Sequence, residues 1–482
     1  MAANPVRFMV SATHRSSGKS TISMGLCAAL VARGLAVQPY KKGPDFIDPM
    51  WLTAASGRRC RNLDPWLCDA GEIVAAFHRH AAGADVALVE GNTGLHDGLA
   101  LDGSDSNAAL ARMLGLPVVL VIDVRGMTRG VAPLLLGQQA FDPAVRIAGV
   151  VLNNVGGSRH EAKLRRALEA YTDVPVLGAV QQDAGLVIDE GHLGLVPANE
   201  AGGVAAIVAD IARSIARQVD LDALLEAVAP GAPFAAPPDP GQRPAPPAGD
   251  IRIGIADDRA FGFYYADDLD ALRAAGATLP RFDTLNDSDL PRVDALFIGG
   301  GFPERHAREL EANAVLRARI RGAIDAGMPV YAECGGLMYL ARSLGQDGHR
   351  YRMVGALPCD VVMRERPVGR GYVELEETGA FPWHGPSRGR VRAHEFHYAA
   401  VENLAPGTRF AYDVKRGHGI DGAHDGIVTG NVLASFAHLR STDRYDWAAR
   451  FVDFVRRSDF HRRRRDNIVS LNAPRMRETP LV

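Results

Sequence analysis

The chain has 482 residues, 47% of them hydrophobic, which is too long for one ordinary core and predicts two domains of roughly 200 residues each. Its 54 Lys and Arg against 56 Asp and Glu leave a formal charge of -2, which excludes the broad basic field of a nucleic-acid or membrane-surface binder. Five cysteines without CxxC spacing, no basic-then-apolar leader and no apolar run near the ~20 residues of a membrane helix predict a cytoplasmic protein in reducing surroundings.

In chain order, short β-rich runs at Phe8–Ala12, Val86–Val89, Pro117–Ile122 and Ile147–Leu152 alternate with helical patterns such as Thr21–Arg33 and Arg159–Ala170. That alternation predicts an α/β domain, a parallel sheet wrapped by helices, over residues 1–228. From Ala229 to Gly249 the chain reads A-P-G-A-P-F-A-A-P-P-D-P-G-Q-R-P-A-P-P-A-G. Proline removes donors and fixes the backbone, so this stretch is expected to be a linker. A second α/β domain, residues 250–460, restarts with a strand at Ile251–Ala256, a helix at Ala266–Ala275 and strands at Ala295–Ile298 and Pro329–Ala332. Shorter strand-like segments fill Arg352–Leu433, and a basic tail, 461–482, closes the chain.

The first strand leads into S-A-T-H-R-S-S-G-K-S-T, Ser11 to Thr21. A phosphate loop needs this setting: Gly18 lets backbone approach phosphates, Lys19 offers a cation, and Ser20 or Thr21 can place a hydroxyl on Mg²⁺ at a helix N-terminus. Thr13 stands where the usual pattern has its first glycine, so the loop is a variant. Acidic residues follow at strand ends: Asp45 in K-K-G-P-D-F-I-D-P, and Glu90 and Asp97 in E-G-N-T-G-L-H-D-G. Loops at the carboxyl ends of parallel strands converge on a ligand, and Mg²⁺ takes one or two carboxylates beside phosphate oxygens. Ser20, Asp45 and Glu90 are therefore the expected Mg²⁺ ligands and ATP the expected nucleotide. Asp48 precedes Pro49 and reads as a turn residue.

The second domain carries A-E-C-G-G-L-M-Y-L, Ala332 to Leu340. A cysteine at a strand-turn-helix junction is exposed as a nucleophile, with the following N–H groups positioned for an oxyanion. Its thiolate form needs a helix terminus or an imidazole; His438 in A-S-F-A-H-L-R is the expected partner of Cys334. The turn G-G-G-F-P-E, Gly299 to Glu304, could add oxyanion donors from Gly300 and Gly301 to that of Gly335. Such a pair of sites suits an enzyme that releases ammonia from glutamine and joins it to an ATP-activated carboxylate.

These segments, together with G-R-R-C-R-N-L-D-P-W at Gly57–Trp66, G-V-V-L-N at Gly149–Asn153, H-L-G-L-V-P-A at His192–Ala198 and A-H-E-F-H-Y at Ala393–Tyr398, occur in the order seen in cobyrinate a,c-diamide synthases. The chain resembles that family from about Val6 to Phe454. The resemblance implies a dethiobiotin-synthetase-like ATP-binding amidoligase domain, a class I glutamine amidotransferase domain, and amidation of the a and c acetates of cobyrinate or hydrogenobyrinate in cobalamin biosynthesis. It implies glutamine and a polycarboxylate tetrapyrrole as partners, a nucleotide contact for Asn153, and a substrate pocket that includes Asp97, Arg61 and His192. A homodimer is compatible with this reading.

The chain departs from the family's pattern at Asn92, Thr93 and His96, where V-M-G-L-Y/F-D-G is common, and at Gly191, where arginine is usual. Siroheme or another sirohydrochlorin-type tetrapyrrole is therefore the rival substrate. Class I amidotransferases often carry an acid two residues after the histidine, but that position is Arg440, which leaves a third partner for Cys334 and His438 unassigned. Rivals of another class are a partition-type regulatory ATPase with an inactive amidotransferase fold and an amidase without synthetase activity. Arg58, Arg59 and Arg61 could pair with substrate carboxylates or line a solvated loop. His394 and His397, three apart on a strand, are expected on opposite faces in a structural role.

Overall fold

Fully apolar runs such as V-V-L-V-I cannot present a polar face, so strands of this kind are stable only when helices cover both sides of the sheet. In the computed structural model, which describes residues 5–183, 190–191, 194–229, 251–383, 385 and 389–464, the chain forms two compact units, Met1–Gln242 and Arg243–Val482. The linker expected at 229–249 lies almost wholly outside the described residues, as does most of the tail, 465–482.

The first unit alternates β1 (Val6–Ala12), α1 (Lys19–Ala32), β2 (Val37–Lys42), α2 (Ile47–Ser56), β3 (Arg61–Leu63), α3 (Ala70–Ala81), β4 (Val86–Glu90), α4 (Asn107–Leu114), β5 (Val118–Asp123), α5 (Val131–Phe141), β6 (Ile147–Val155), α6 (Ser158–Tyr171) and β7 (Val176–Gln181). A two-residue ladder, β8 (Glu190–Gly191) with β9 (Gly194–Leu195), precedes α7 (Val204–Gln218) and α8 (Leu221–Ala227). The seven long strands form one parallel sheet in the order β3-β2-β4-β1-β5-β6-β7. β1 lies at the centre, every residue of β5 is buried, and the loops after β1, β2 and β4 are neighbours at the carboxyl edge. The expected α/β architecture is present; β2, β3 and β7 are additions that the sequence pattern did not delimit.

The second unit builds its sheet from β10 (Ile251–Ala256), β12 (Ala277–Thr278), β13 (Arg281–Phe282), β14 (Ala295–Ile298), β16 (Val330–Glu333), β20 (Gly369–Glu377), β21 (Arg390–His397), β23 (Arg409–Arg416), β24 (His424–Thr429), β25 (Val432–Ser435) and β26 (His438–Leu439). Their order is β12-β10-β14-β16-β25-β24-β23-β20-β21-β26, with β13 beside β10. The β12–β10–β14–β16–β25 part, with β13 beside β10, is parallel and the remainder antiparallel. A ribbon of β11 (Phe261–Phe263) with β15 (Gly300–Gly301) stands at the carboxyl edge, and a four-stranded sheet joins β17 (Ser343–Gln346), β18 (His349–Arg352), β19 (Asp360–Met363) and β22 (Ala399–Glu402). Helices α9 (Ala266–Ala274), α10 (Ala307–Ala312), α11 (Ala314–Asp325), α12 (Gly335–Leu340) and α13 (Trp447–Arg457) cover the faces.

One face of this second sheet rests on an aromatic cluster. Phe297 stacks on Tyr331 at 5.2 Å, Tyr331 meets Trp383 edge-on at 5.0 Å, and Trp447 of α13 lies 4.9 Å from Tyr331. The Trp447 indole N–H donates to Asp268 on α9, so burial of the ring leaves no donor unmet. No helix among the described residues is long and apolar enough to cross a membrane. Trp447→Ala should lower the stability of this unit by about 3–5 kcal/mol, read as a drop in the urea midpoint of unfolding; an unchanged midpoint would show that the cluster does not hold the sheet.

Candidate active site

The turn after β1 reaches α1 through Gly18, whose backbone is left-handed at φ 87°. A Cβ there would lie 2.1 Å from Asn153 Nδ2, so only glycine fits. Asn153, at the carboxyl end of β6, donates from Nδ2 to Ser17 O at 2.9 Å and pins the loop. Lys19 opens α1 and is 8% exposed. Burial, followed by the field of Lys41, lowers its pKa to about 8 against the pull of Glu90 and Asp48. No carboxylate forms an ion pair with it among the described residues, the state expected of a cation kept for phosphate oxygens.

One residue into the helix, Ser20 rather than Thr21 faces the acids. Its hydroxyl donates to Glu90 Oε1 at 2.9 Å and to Asp48 Oδ2 at 3.1 Å. Lys41 Nζ sits between the same two carboxylates, 2.5 Å from Asp48 and 2.8 Å from Glu90. Burial pushes Asp48 up, but Lys41 outweighs it and holds the carboxyl below its usual range; for Glu90 burial wins. Asp48 is thus part of the cluster and more than the turn residue its Pro49 neighbour suggested. Asp45 stands one step back: Oδ1 accepts from the amides of Ile47 and Asp48 at 2.8 and 3.1 Å, and Oδ2 is 3.9 Å from Lys41 Nζ.

The residues present suit Mg²⁺. Glu90 is wholly buried and its Oε2 has no hydrogen-bond partner among the described residues. A hydroxyl and carboxylates make the hard all-oxygen donor set that this ion prefers.

The Asp97 loop belongs to the same edge. Leu95 N donates to Ala12 O at 2.7 Å, and Asp97 Oδ2 accepts from Gly94 N at 2.9 Å, closing a turn against Thr13. Arg61 is buried at the start of β3, level with Tyr40 and two residues short of the carboxyl edge. Arg58 lies elsewhere: it donates to Gln38 Oε1 and to the carbonyls of His80, Ala82 and Gly83, at the opposite end of the sheet, because the α3–β4 connection lies there. Of the two readings left open for Arg58, a substrate contact or a loop residue, these partners place it in the connections at that far end. His192 lies outside the described residues.

In the second unit Cys334 has φ 48° and ψ -101°, a strained turn that a non-glycine residue holds at a cost of about 1–3 kcal/mol. Gly336 follows because no side chain fits, a Cβ there lying 2.1 Å from Ile298 O, and Gly335 is tight, with a Cβ 3.1 Å from Gly301 N. Gly301 and Gly335 are therefore adjacent, while a Cβ on Gly300 would lie 2.6 Å from His438 Cε1. The three glycines chosen as oxyanion donors gather around Cys334 and His438. Cys334 Sγ points to Phe396 O at 3.9 Å.

The acid missing from the sequence is Glu333. Its Oε2 lies 3.2 Å from His438 Nδ1, and its Oε1 accepts from Leu439 N at 3.0 Å and from the Tyr331 hydroxyl at 2.5 Å. Burial disfavours the His438 cation, but hydrogen bonds to Cys334 and Glu333 outweigh it and push the pKa up to about 10. An imidazolium beside sulfur is the pairing that supports a thiolate nucleophile. The signal was present in A-E-C, since the parallel β16–β25 register sets Glu333 against Ser435, three residues before His438. Arg440 instead pairs with Asp267 and Asp268 of α9. Buried Asp425 takes the amides of Phe436 and Ala437, each at 3.0 Å, and fixes the backbone that delivers His438. His394 and His397 point to opposite faces of β21, the first beside Tyr372 and the second stacked on Phe436 at 3.8 Å.

Two family descriptions match the two units: a CobQ/CobB/MinD/ParA nucleotide binding domain over residues 8–193 and a CobB/CobQ-like glutamine amidotransferase domain over residues 252–445. A cobyrinate a,c-diamide synthase of Magnetococcus marinus is 47% identical over 93% of this chain and 97% of its own length. One from Methanosarcina acetivorans is 43% identical over 93% and 95%, and one from Archaeoglobus fulgidus 41% over 92% and 96%.

Because His438 carries its proton to about pH 10, glutaminase activity should fall on the alkaline side as pH rises through that value. Glu333→Gln should cut kcat roughly 10²-fold and move this limb to lower pH. A loss of rate with an unmoved limb would make Glu333 a packing residue only.

Proposed function

The chain belongs to the cobyrinate a,c-diamide synthase family, and from that premise we propose that the residues gathered at the two sites carry out the a and c amidations of cobyrinate or hydrogenobyrinate. It is a carbon–nitrogen ligase that takes nitrogen from glutamine and uses ATP. The observation that carries the substrate is the 47% identity across nearly the full length of both chains.

In the second unit the Cys334 thiolate attacks the glutamine side-chain carbonyl. Amide N–H groups of Gly301 and Gly335 receive the oxyanion, and His438, oriented by Glu333, gives its proton to the departing nitrogen. Ammonia leaves, and water cleaves the γ-glutamyl thioester to glutamate, its proton returning to His438 as the Cys334 thiolate is released. In the first unit Gly18, Lys19 and the start of α1 hold the ATP phosphates. Transfer of the γ-phosphoryl group to a substrate acetate gives ADP and an acyl phosphate. Ammonia then displaces phosphate and forms the amide, and the sequence repeats at the second acetate. Ser20, Glu90 and Asp48, with Asp45 behind them, would hold Mg²⁺, which when bound neutralises charge on the phosphates. Lys41 steadies the carboxylates of this group, and Asn153 keeps the loop in register for the nucleotide.

The test is mass spectrometry of the purified chain with ATP, Mg²⁺ and glutamine, offered cobyrinate, hydrogenobyrinate and siroheme in parallel. Diamide from a corrin supports the reading, and diamide from siroheme alone replaces the substrate. ATP hydrolysis with no macrocycle amidated would favour the regulatory ATPase. Cys334→Ser should abolish glutamine-dependent amidation while ammonium salts still support it; loss of both would show that the two reactions are not carried by separate sites.

A further inference from the structure

Three lysines are buried among the described residues, Lys19, Lys41 and Lys42. An ammonium removed from water is costly unless a counter-charge meets it. Lys41 is met by Asp48, Glu90 and Asp45. Lys19 has no such partner because its counter-charge is the nucleotide. Lys42 shares that signature. It is 4% exposed, and its Nζ donates to a neutral oxygen, Asn92 Oδ1, at 3.1 Å. Asp64 and Asp105 are near enough to favour its charge, yet burial outweighs them and lowers its pKa. Neither forms an ion pair with Lys42, and both are engaged by backbone: Asp64 Oδ1 takes the amides of Trp66 and Leu67, and Asp105 takes those of Leu99 and Ala100.

Position separates this cation from the phosphate site. Successive residues of a strand point to opposite faces, and the partners agree: Lys41 reaches Asp48 and Glu90, which hold Ser20 of α1, whereas Lys42 turns to the loop after β4. That loop is rigid. Asn107 Nδ2 donates to Ser11 Oγ, Asn92 O and Gly94 O within 3.0 Å, and Asn107 Oδ1 accepts from Asn92 N at 3.2 Å. Asn92 thus presents Lys42 from a fixed frame that also carries Asp97.

We infer that Lys42, held by Asn92, is the recognition cation for a peripheral carboxylate of the tetrapyrrole other than the one being activated. The inference rests on the substrate reading above. A carboxylate would add a charge-assisted hydrogen bond to an ammonium that now has only an amide. A phosphate of ATP is the other anion at hand, but Lys19 and the start of α1 serve it on the opposite face.

The experiment uses the full chain with ATP, Mg²⁺ and glutamine. Lys42→Met should raise KM for the tetrapyrrole roughly 10-fold or more, with KM for ATP, glutaminase rate and kcat within about threefold, and should weaken the dependence of that KM on salt. Lys42→Arg should recover part of the affinity. The ligand-free Lys42→Met protein should melt at the same temperature or higher, because an unpaired buried charge has been removed. Asn92→Ala, which keeps the charge and loses its support, should raise the same KM by a smaller factor. A rise confined to KM for ATP, an unmoved tetrapyrrole KM in both the Lys42→Met and Asn92→Ala proteins, or a lower melting temperature with kcat and KM falling together would overturn the inference alone. Failure of the wild-type chain to amidate any tetrapyrrole would overturn the reading beneath it.

Discussion

A parallel strand that passes straight into a helix must reverse direction within a few residues, and in both units the residue that makes the turn has positive φ. In the first it is Gly18 at 87°, in the second Cys334 at 48°. The requirements on the two positions differ. Gly18 has to vanish, because Asn153 occupies the space of a side chain. Cys334 has to carry a side chain, so the strain is accepted and the room is made by Gly335 and Gly336. One edge thus becomes a cradle for an anion and the other a platform for a nucleophile. The neighbouring strand ends supply everything else, because in a parallel sheet they all finish at the same edge.

Buried charge is handled differently at the two edges. Around Cys334 it is closed: Glu333 meets His438, the Leu439 amide and the Tyr331 hydroxyl, while Arg440 is neutralised on α9. Such a set is oriented before substrate arrives. Around Lys19 it is open on the cationic side, with Glu90 Oε2 as a matching orphan acceptor. A closed set suits a proton-transfer pair that must keep its geometry through two half-reactions. An open one suits a site whose ligands bring both phosphates and a divalent ion.

Sequence exposed those features whose chemistry is written into adjacent residues. Gly18-Lys19-Ser20 follows a strand, and Cys334-Gly335-Gly336 follows another. What it hid depends on register. Glu333 adjoins the nucleophile in sequence, where the acid was sought after His438, and only the β16–β25 pairing brings it beneath that ring. Asp48 was masked by a turn-forming proline, although α2 begins immediately before it and swings its carboxylate back to Ser20. Arg58 looked like part of a basic patch, but it closes the far end of the sheet. Lys41 and Lys42 are adjacent in sequence, but strand alternation sends one into an acid cluster and leaves the other against an amide.

A chain whose overall charge is -2 still keeps three buried lysines at one sheet edge. Activating a carboxylate with ATP drives two anions together, and their repulsion grows as water is excluded. Lysines in solvent would be screened and of little use. Lys19 and Lys42, kept dry and short of counter-charge, flank the acid cluster from opposite faces of the sheet, while Lys41 keeps that cluster from adding its full negative charge. The ligand-free protein bears the desolvation of two ammonium groups, and the arriving phosphate and carboxylate relieve it. The phosphate at Lys19, and at Lys42 a peripheral carboxylate other than the activated one, are then held because the protein has left those cations unsatisfied, a condition that further acidic partners would improve for stability and ruin for binding.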